Sequence, residues 1–148
     1  MIIVTALTPV PNKFITFGTC VKSMVMLKTF LFIFLGGGLG SVFRYGTSLL
    51  TQKFYTNSFP LATFFVNVIG CFLIGLLVGF SNKLFATNTD LRFLFITGFC
   101  GGYTTFSTFG FENIQLIQNN QLGLAFTYIG LSVLIGLLAV WFGLFLAK

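Results

Sequence analysis

The chain is short of charge. Only 7% of its 148 residues are Asp, Glu, Lys or Arg, against roughly 25% in an ordinary soluble domain, and no soluble fold could cover its surface with so few. Histidine is absent, and there is a single Asp (Asp90) and a single Glu (Glu112). Within one subunit this excludes a Ser-His-Asp triad, a histidine metal site and a pair of carboxylates for acid-base work, so the chain does not read as an enzyme. The three cysteines, Cys20, Cys71 and Cys100, form no close pair, and two of them fall inside apolar runs. Disulfides and zinc sites are therefore not expected. The net charge is +6, but the Lys and Arg residues stand singly between apolar runs rather than clustering among aromatics on a polar face. No nucleic-acid partner is expected.

What is present in abundance is apolar: 56% of the residues are hydrophobic and 22 are Phe. In lipid, helices present apolar side chains outward as well as inward. A helical crossing needs about 20 such residues, and four segments qualify: 27–50, interrupted only by Arg44, then 61–80, 91–117 and 122–147. The connections carry boundary residues, among them Lys53, Asn57 and Pro60. The expectation is one all-α integral membrane domain over residues 26–148, with four transmembrane helices, both ends on one side and no separate soluble domain. Residues 1–25 contain Pro9 and Pro11 and lack the basic start, apolar run and cleavage site of a signal peptide. They are expected to be a disordered tail or an over-extended gene start, Met26 being a natural beginning. Lys28, Lys83, Arg92 and Lys148 lie at the end shared by the termini, and Arg44 and Lys53 at the other, a small bias toward cytoplasmic termini.

The most informative stretch is Gly98-Phe99-Cys100-Gly101-Gly102-Tyr103-Thr104-Thr105-Phe106-Ser107-Thr108-Phe109. Glycine costs a helix about 1 kcal/mol relative to alanine, and β-branched Thr is also disfavoured, so a break in the third span is expected near residues 101–105. A break frees backbone carbonyls, which a membrane tolerates only where they are buried in protein or line water, and freed carbonyls make ligands for a hard cation. The competing reading is close packing through small-xxx-small pairs, Gly36 with Gly40, Gly75 with Gly79, and Gly98 with Gly102. Phe106 and Phe109, three apart, share a face of the resumed helix. Ring edges are electropositive and can attract an anion without a full charge, but two Phe facing lipid would also be ordinary here.

The run Gly101-Gly102-Tyr103-Thr104-Thr105-Phe106-Ser107-Thr108-Phe109 followed by Glu112 resembles the signature of the Fluc (CrcB) fluoride-specific ion channel family. Gly37-Gly38-Leu39-Gly40 with Arg44-Tyr45, and Val66-Asn67 with Gly70 and Gly75, agree with it. Ser41, Ala62 and Gly110 depart from the family pattern. The resemblance implies an antiparallel, dual-topology homodimer in the cell membrane, in the inner membrane of a Gram-negative source, through which fluoride leaves the cytoplasm passively. It implies a structural sodium ion held by the Gly101 and Thr104 carbonyls of both subunits. It places Phe106, Phe109 and Asn67 against the fluoride ion, with the hydroxyls of Ser107 and Thr108 nearby. Tyr128, Ser132 and Gly136 recur every four residues and so form a stripe that could continue a polar track. Arg44 would suit an anion-attracting vestibule. From the residues alone, Asn67 could equally bond helix to helix, Tyr128 could anchor at the interface, and Arg44 could snorkel to the headgroups.

One rival is a proton-coupled exporter of the four-helix multidrug type, for which Glu112 is the only acidic candidate in the spans. A second is a non-transporting subunit of a larger complex.

Overall fold

The computed structural model describes residues 12–55, 57–81, 85 and 89–148, with side chains from residue 24 onward. The described residues form helices and their connections, with no strand among them. In order these are α1 (Asn12–Phe54), α2 (Leu61–Gly79), α3 (Thr89–Arg92), the π-helix π1 (Phe93–Cys100), α4 (Gly101–Tyr103), α5 (Phe106–Gln118) and α6 (Leu122–Leu146). The expectation for residues 1–25 falls largely outside the described side chains; the backbone is helical from Asn12.

Three of these helices are long and apolar enough to cross a membrane: Met24–Phe54 within α1, Leu61–Gly79 and Leu122–Leu146. At about 1.5 Å per residue the last two rise roughly 28 and 37 Å, which matches a hydrocarbon core of about 30 Å. The protein is a multi-pass membrane protein. The segment expected as a further span, 91–117, is divided among α3, π1, α4 and α5.

Two close helix pairs organise the bundle, and glycine makes both possible. Along α1, Gly36 and Gly40 meet π1 and α4, where a Cβ on Gly102 would stand 2.9 Å from the Gly37 Cα. Between α2 and α6 the same device recurs: a Cβ on Gly143 would stand 2.7 Å from the Leu76 backbone nitrogen, and one on Gly75 would overlap the Val140 carbonyl. All three Gly-xxx-Gly pairs named above thus sit at helix contacts, as packing without a hydrophobic drive requires. Lys28 and Asp90 join α1 to α3 at 3.5 Å, but Lys28 is 67% exposed, so the pair adds little.

The connection from α5 to α6 is fixed by backbone chemistry. Asn120 takes a left-handed φ of 58°, the Gln121 N–H donates to the Leu116 carbonyl and the Asn120 N–H to the Ile117 carbonyl. This is the Schellman closure of a helix, with Asn in the position glycine more often fills. It turns α6 back along α5 and seats Ala125 and Tyr128 against Leu116.

Candidate functional site

The site is built around two residues that leave helical angles. Thr104 has φ −76° and ψ 156°, and Thr105 has φ −146° and ψ 117°. On one side π1 and α4 lead into this extended pair; on the other α5 begins at Phe106. π turns are rare and gather at functional sites. Gly101 itself keeps ordinary right-handed angles, φ −64° and ψ −36°.

Several of the backbone groups at the break have identifiable partners. In a continuous helix the Gly101 carbonyl would accept from the Thr105 N–H. That N–H instead donates to Asn67 Oδ1 at 2.8 Å, and Asn67 Nδ2 donates back to the Thr105 carbonyl at 3.1 Å. The Thr108 N–H donates to Thr105 Oγ1 at 3.3 Å, so Thr105 is the N-cap of α5. Thr104 closes the preceding turn, its N–H and its hydroxyl both donating to the Cys100 carbonyl. From α1, Ser41 Oγ reaches the Gly102 carbonyl and Arg44 Nη1 the Thr104 carbonyl, each at 3.5 Å, the long limit for such bonds. The Gly101 carbonyl is thereby left without the amide a continuous helix would have supplied.

Two hollows flank the extended pair. An open groove of about 530 Å³ runs between α2 and the π1–α4 run, with Asn67, Gly70, Gly101, Thr104 and Phe106 on its walls. A Cβ on Gly101 would meet nothing within 4 Å, so the groove is open at that residue. On the other side a cavity of about 270 Å³ holds Arg44 with Ser41, Ser48, Thr63, Thr105 and Thr108. A guanidinium among hydroxyl-bearing residues, Tyr45 also among them, gives that hollow a positive, hydrogen-bonding lining.

The two rings of interest sit side by side, their centroids 5.9 Å apart. Phe106 is 85% exposed. Phe109 packs on Tyr128 at 4.9 Å. Ser107 Oγ lies 3.4 Å from Thr105 Oγ1, and the Thr105 hydroxyl donates to Thr108 Oγ1 at 2.9 Å. Phe106, Ser107, Thr108, Phe109 and Asn67 therefore gather about the first turn of α5. Tyr128 is fully buried and its phenol donates to Glu112 Oε2 at 2.9 Å, while Thr63 donates to Glu112 Oε1 at 2.6 Å. One carboxylate so joins α2, α5 and α6. Ser132 lies on the same face of α6, its hydroxyl buried with no partner among the described residues.

Several contributors carried little signal in the sequence. Thr63 is one of many threonines and is marked only by Glu112, 49 residues away. Tyr103 is buried, stacked on Phe99 and hydrogen-bonded to Thr47, and its place in the Gly101–Phe109 run was the single clue. Thr105 was legible as poor helix material but not as the hub that Asn67 clamps.

Residues 31–144 match the family described as CrcB-like protein, Camphor Resistance (CrcB). The chain is 56% identical over 122 residues to a Flavobacterium psychrophilum protein named fluoride-specific ion channel FluC, covering 82% of this chain and 98% of that one. Proteins of the same name from Azobacteroides pseudotrichonymphae and Phocaeicola vulgatus are 44% and 42% identical, each covering at least 82% of this chain and 98% or more of its own length.

Proposed function

The chain belongs to the CrcB family, and on that premise we infer that it is a fluoride-specific ion channel of the membrane and not an enzyme. The observation that carries this is the 56% identity to a protein so named, extending over 98% of that protein. The site supports it: a ring pair, an amide and several hydroxyls surround the start of α5, and a guanidinium lines the adjoining cavity.

Fluoride in this reading is drawn by Arg44, whose one hydrogen bond among the described residues is long and leaves most of its five donors for an anion. It then meets the edges of Phe106 and Phe109, which attract an anion without the full charge that would trap it. Asn67 has a second amide hydrogen beyond the one spent on Thr105, and that hydrogen serves the ion. Ser107 and Thr108 supply hydroxyls, and the unpartnered Ser132 hydroxyl continues the track along α6 past Tyr128. Flow is passive and outward, driven by the membrane potential, which lowers the cytoplasmic concentration of a toxic anion.

The crossing that contains the extended pair is the third of four, a discontinuous span, and the working unit is an antiparallel homodimer inserted in both orientations. The residues present suit a sodium ion at the dimer axis. Sodium takes oxygen ligands, the Gly101 carbonyl has lost its amide, and a Cβ on that residue would meet nothing within 4 Å. The Thr104 carbonyl keeps a lone pair beyond its long contact with Arg44. Two oxygens per chain, doubled by a second chain, would hold the ion, which supplies a fixed positive charge that joins the subunits.

Glu112, the acidic group a proton-coupled exporter would need, is instead engaged by Thr63 and Tyr128. Fluoride release from liposomes tests the reading. The expected result is rapid efflux once the counter-charge is carried, with no proton gradient. Efflux only under an imposed gradient would favour the exporter, and none at all the silent subunit.

A further inference from the structure

The extended pair rests partly on a residue with no side chain. Gly70 lies three residues beyond Asn67 on α2, so both face the same neighbours. Asn67 holds Thr105 through two hydrogen bonds. Gly70 is buried beneath Thr104: a Cβ there would overlap the Thr104 γ-methyl, while Tyr103 Cδ1 and Thr104 Cβ would stand at 3.4 and 3.6 Å, ordinary contacts.

That methyl has little freedom to move. Thr104 Oγ1 donates to the Cys100 carbonyl at 2.9 Å. In a β-branched residue one torsion places both branches, so tying the hydroxyl to the preceding turn also aims the methyl at Gly70. Rotating it away would break that side-chain bond and leave the Thr104 N–H alone on the Cys100 carbonyl at the last turn before the chain becomes extended.

We propose that Gly70 and Thr104 are a size-matched pair and that Gly70 is a positioning residue for the pore segment. Its bare Cα is the seat for the Thr104 methyl, and filling that seat displaces the residue whose backbone runs extended beside the groove. The pair does not depend on which ion is carried; only the flux readout rests on the channel reading.

A double-mutant cycle tests it. Gly70→Ala is made in the wild-type chain and in the Thr104→Ser background, where the hydroxyl stays and only the γ-methyl is gone. In the wild-type chain Gly70→Ala lowers fluoride efflux about tenfold and the melting temperature in detergent by about 5 °C, as overpacking of a filled site does. In the Thr104→Ser background the same change has little effect on either. A wild-type-like Gly70→Ala, or an equal loss in both backgrounds, overturns the pairing. If Gly70→Ala alone yields no folded protein, folded protein from the double variant supports the pairing and its absence overturns it. Should the wild-type chain itself pass no fluoride, the channel reading fails while the melting temperatures still decide the pair.

Discussion

Replacing Asn67 by Ala removes two hydrogen bonds to one buried residue, and the cost follows from what is left behind. Thr105 is 7% exposed, and in the variant its N–H and carbonyl lose the partners now at 2.8 and 3.1 Å. Each buried group left unsatisfied costs about 1–3 kcal/mol, so the pair costs about 2–6 kcal/mol. In a chain of this size each kcal/mol moves the melting temperature by about 2–4 °C. The groove beside Asn67 admits a replacement for one partner, which favours the lower half of that range, a fall of about 4–16 °C. Asn67→Asp differs in kind. It keeps an acceptor for the Thr105 N–H but sets a carboxylate oxygen against the Thr105 carbonyl and places an acid at membrane depth. Fluoride efflux should be suppressed in both variants. Thermal unfolding in detergent and efflux from liposomes are measured on the same preparations. A melting temperature within about 1 °C of wild type in Asn67→Ala, with full efflux, would refute the clamp and the pore assignment together. A large fall in melting temperature with full efflux would leave Asn67 as a clamp alone.

Phe106→Ile and Phe109→Ile should each suppress efflux, because the ring edge is lost and an apolar side chain kept. Phe109→Ile should also cost about 1 kcal/mol through its contact with Tyr128, and normal efflux in both would remove the rings from the pathway. A Cβ on Gly101 would meet nothing within 4 Å, so the effect of Gly101→Val should fall on assembly and on stabilisation by sodium, read as dimer content and melting temperature in sodium against a bulky organic cation; a variant with wild-type behaviour in both would remove the sodium proposal. Tyr128→Phe withdraws the phenol from Glu112 and should destabilise by about 1–3 kcal/mol, checked by thermal unfolding, with no change counting against the three-helix junction.

The spans that became α1, α2 and α6 were legible because each is a long apolar run, a signal that needs no partner to read. The Tyr128, Ser132 and Gly136 stripe was legible for a similar reason: four-residue spacing puts them on one face, and Tyr128 and Gly136 are buried. Residues 101–105 were legible as poor helix material, but the place where the backbone turns extended was not. Composition pointed at the glycines, whereas Gly101 keeps helical angles and the departure falls on Thr104 and Thr105. What decides this is Asn67 offering both an acceptor and a donor from a helix 38 residues earlier, a fact no local propensity contains. Glu112 is similar: that it pairs with Thr63 and Tyr128 depends on α2 and α6 lying together.

Adjacent glycines in the motif face opposite demands, and that contrast bears on assembly. Gly102 is packed against α1, where an added Cβ would overlap the Gly37 carbonyl. Gly101, one residue back and about 100° around the helix, is where an added Cβ would meet nothing within 4 Å, and it carries the carbonyl whose amide went to Asn67. Were packing within one chain the whole reason for these glycines, the open one would tolerate a side chain. Yet a carbonyl stripped of its amide is costly against lipid and is tolerated only where protein or water covers it. In the dimer proposed above, the groove at Gly101 is the surface that a second copy of the chain would cover, doubling the freed oxygens to a number that would suit a cation. On this argument Gly102→Ala should damage the fold of the single chain through overpacking of about 1–3 kcal/mol, whereas Gly101→Ala should leave each chain's fold intact and act on association alone. Helical content and dimer fraction measured on the two variants separate these effects, and a Gly101→Ala protein that lost its fold as a monomer would refute the division.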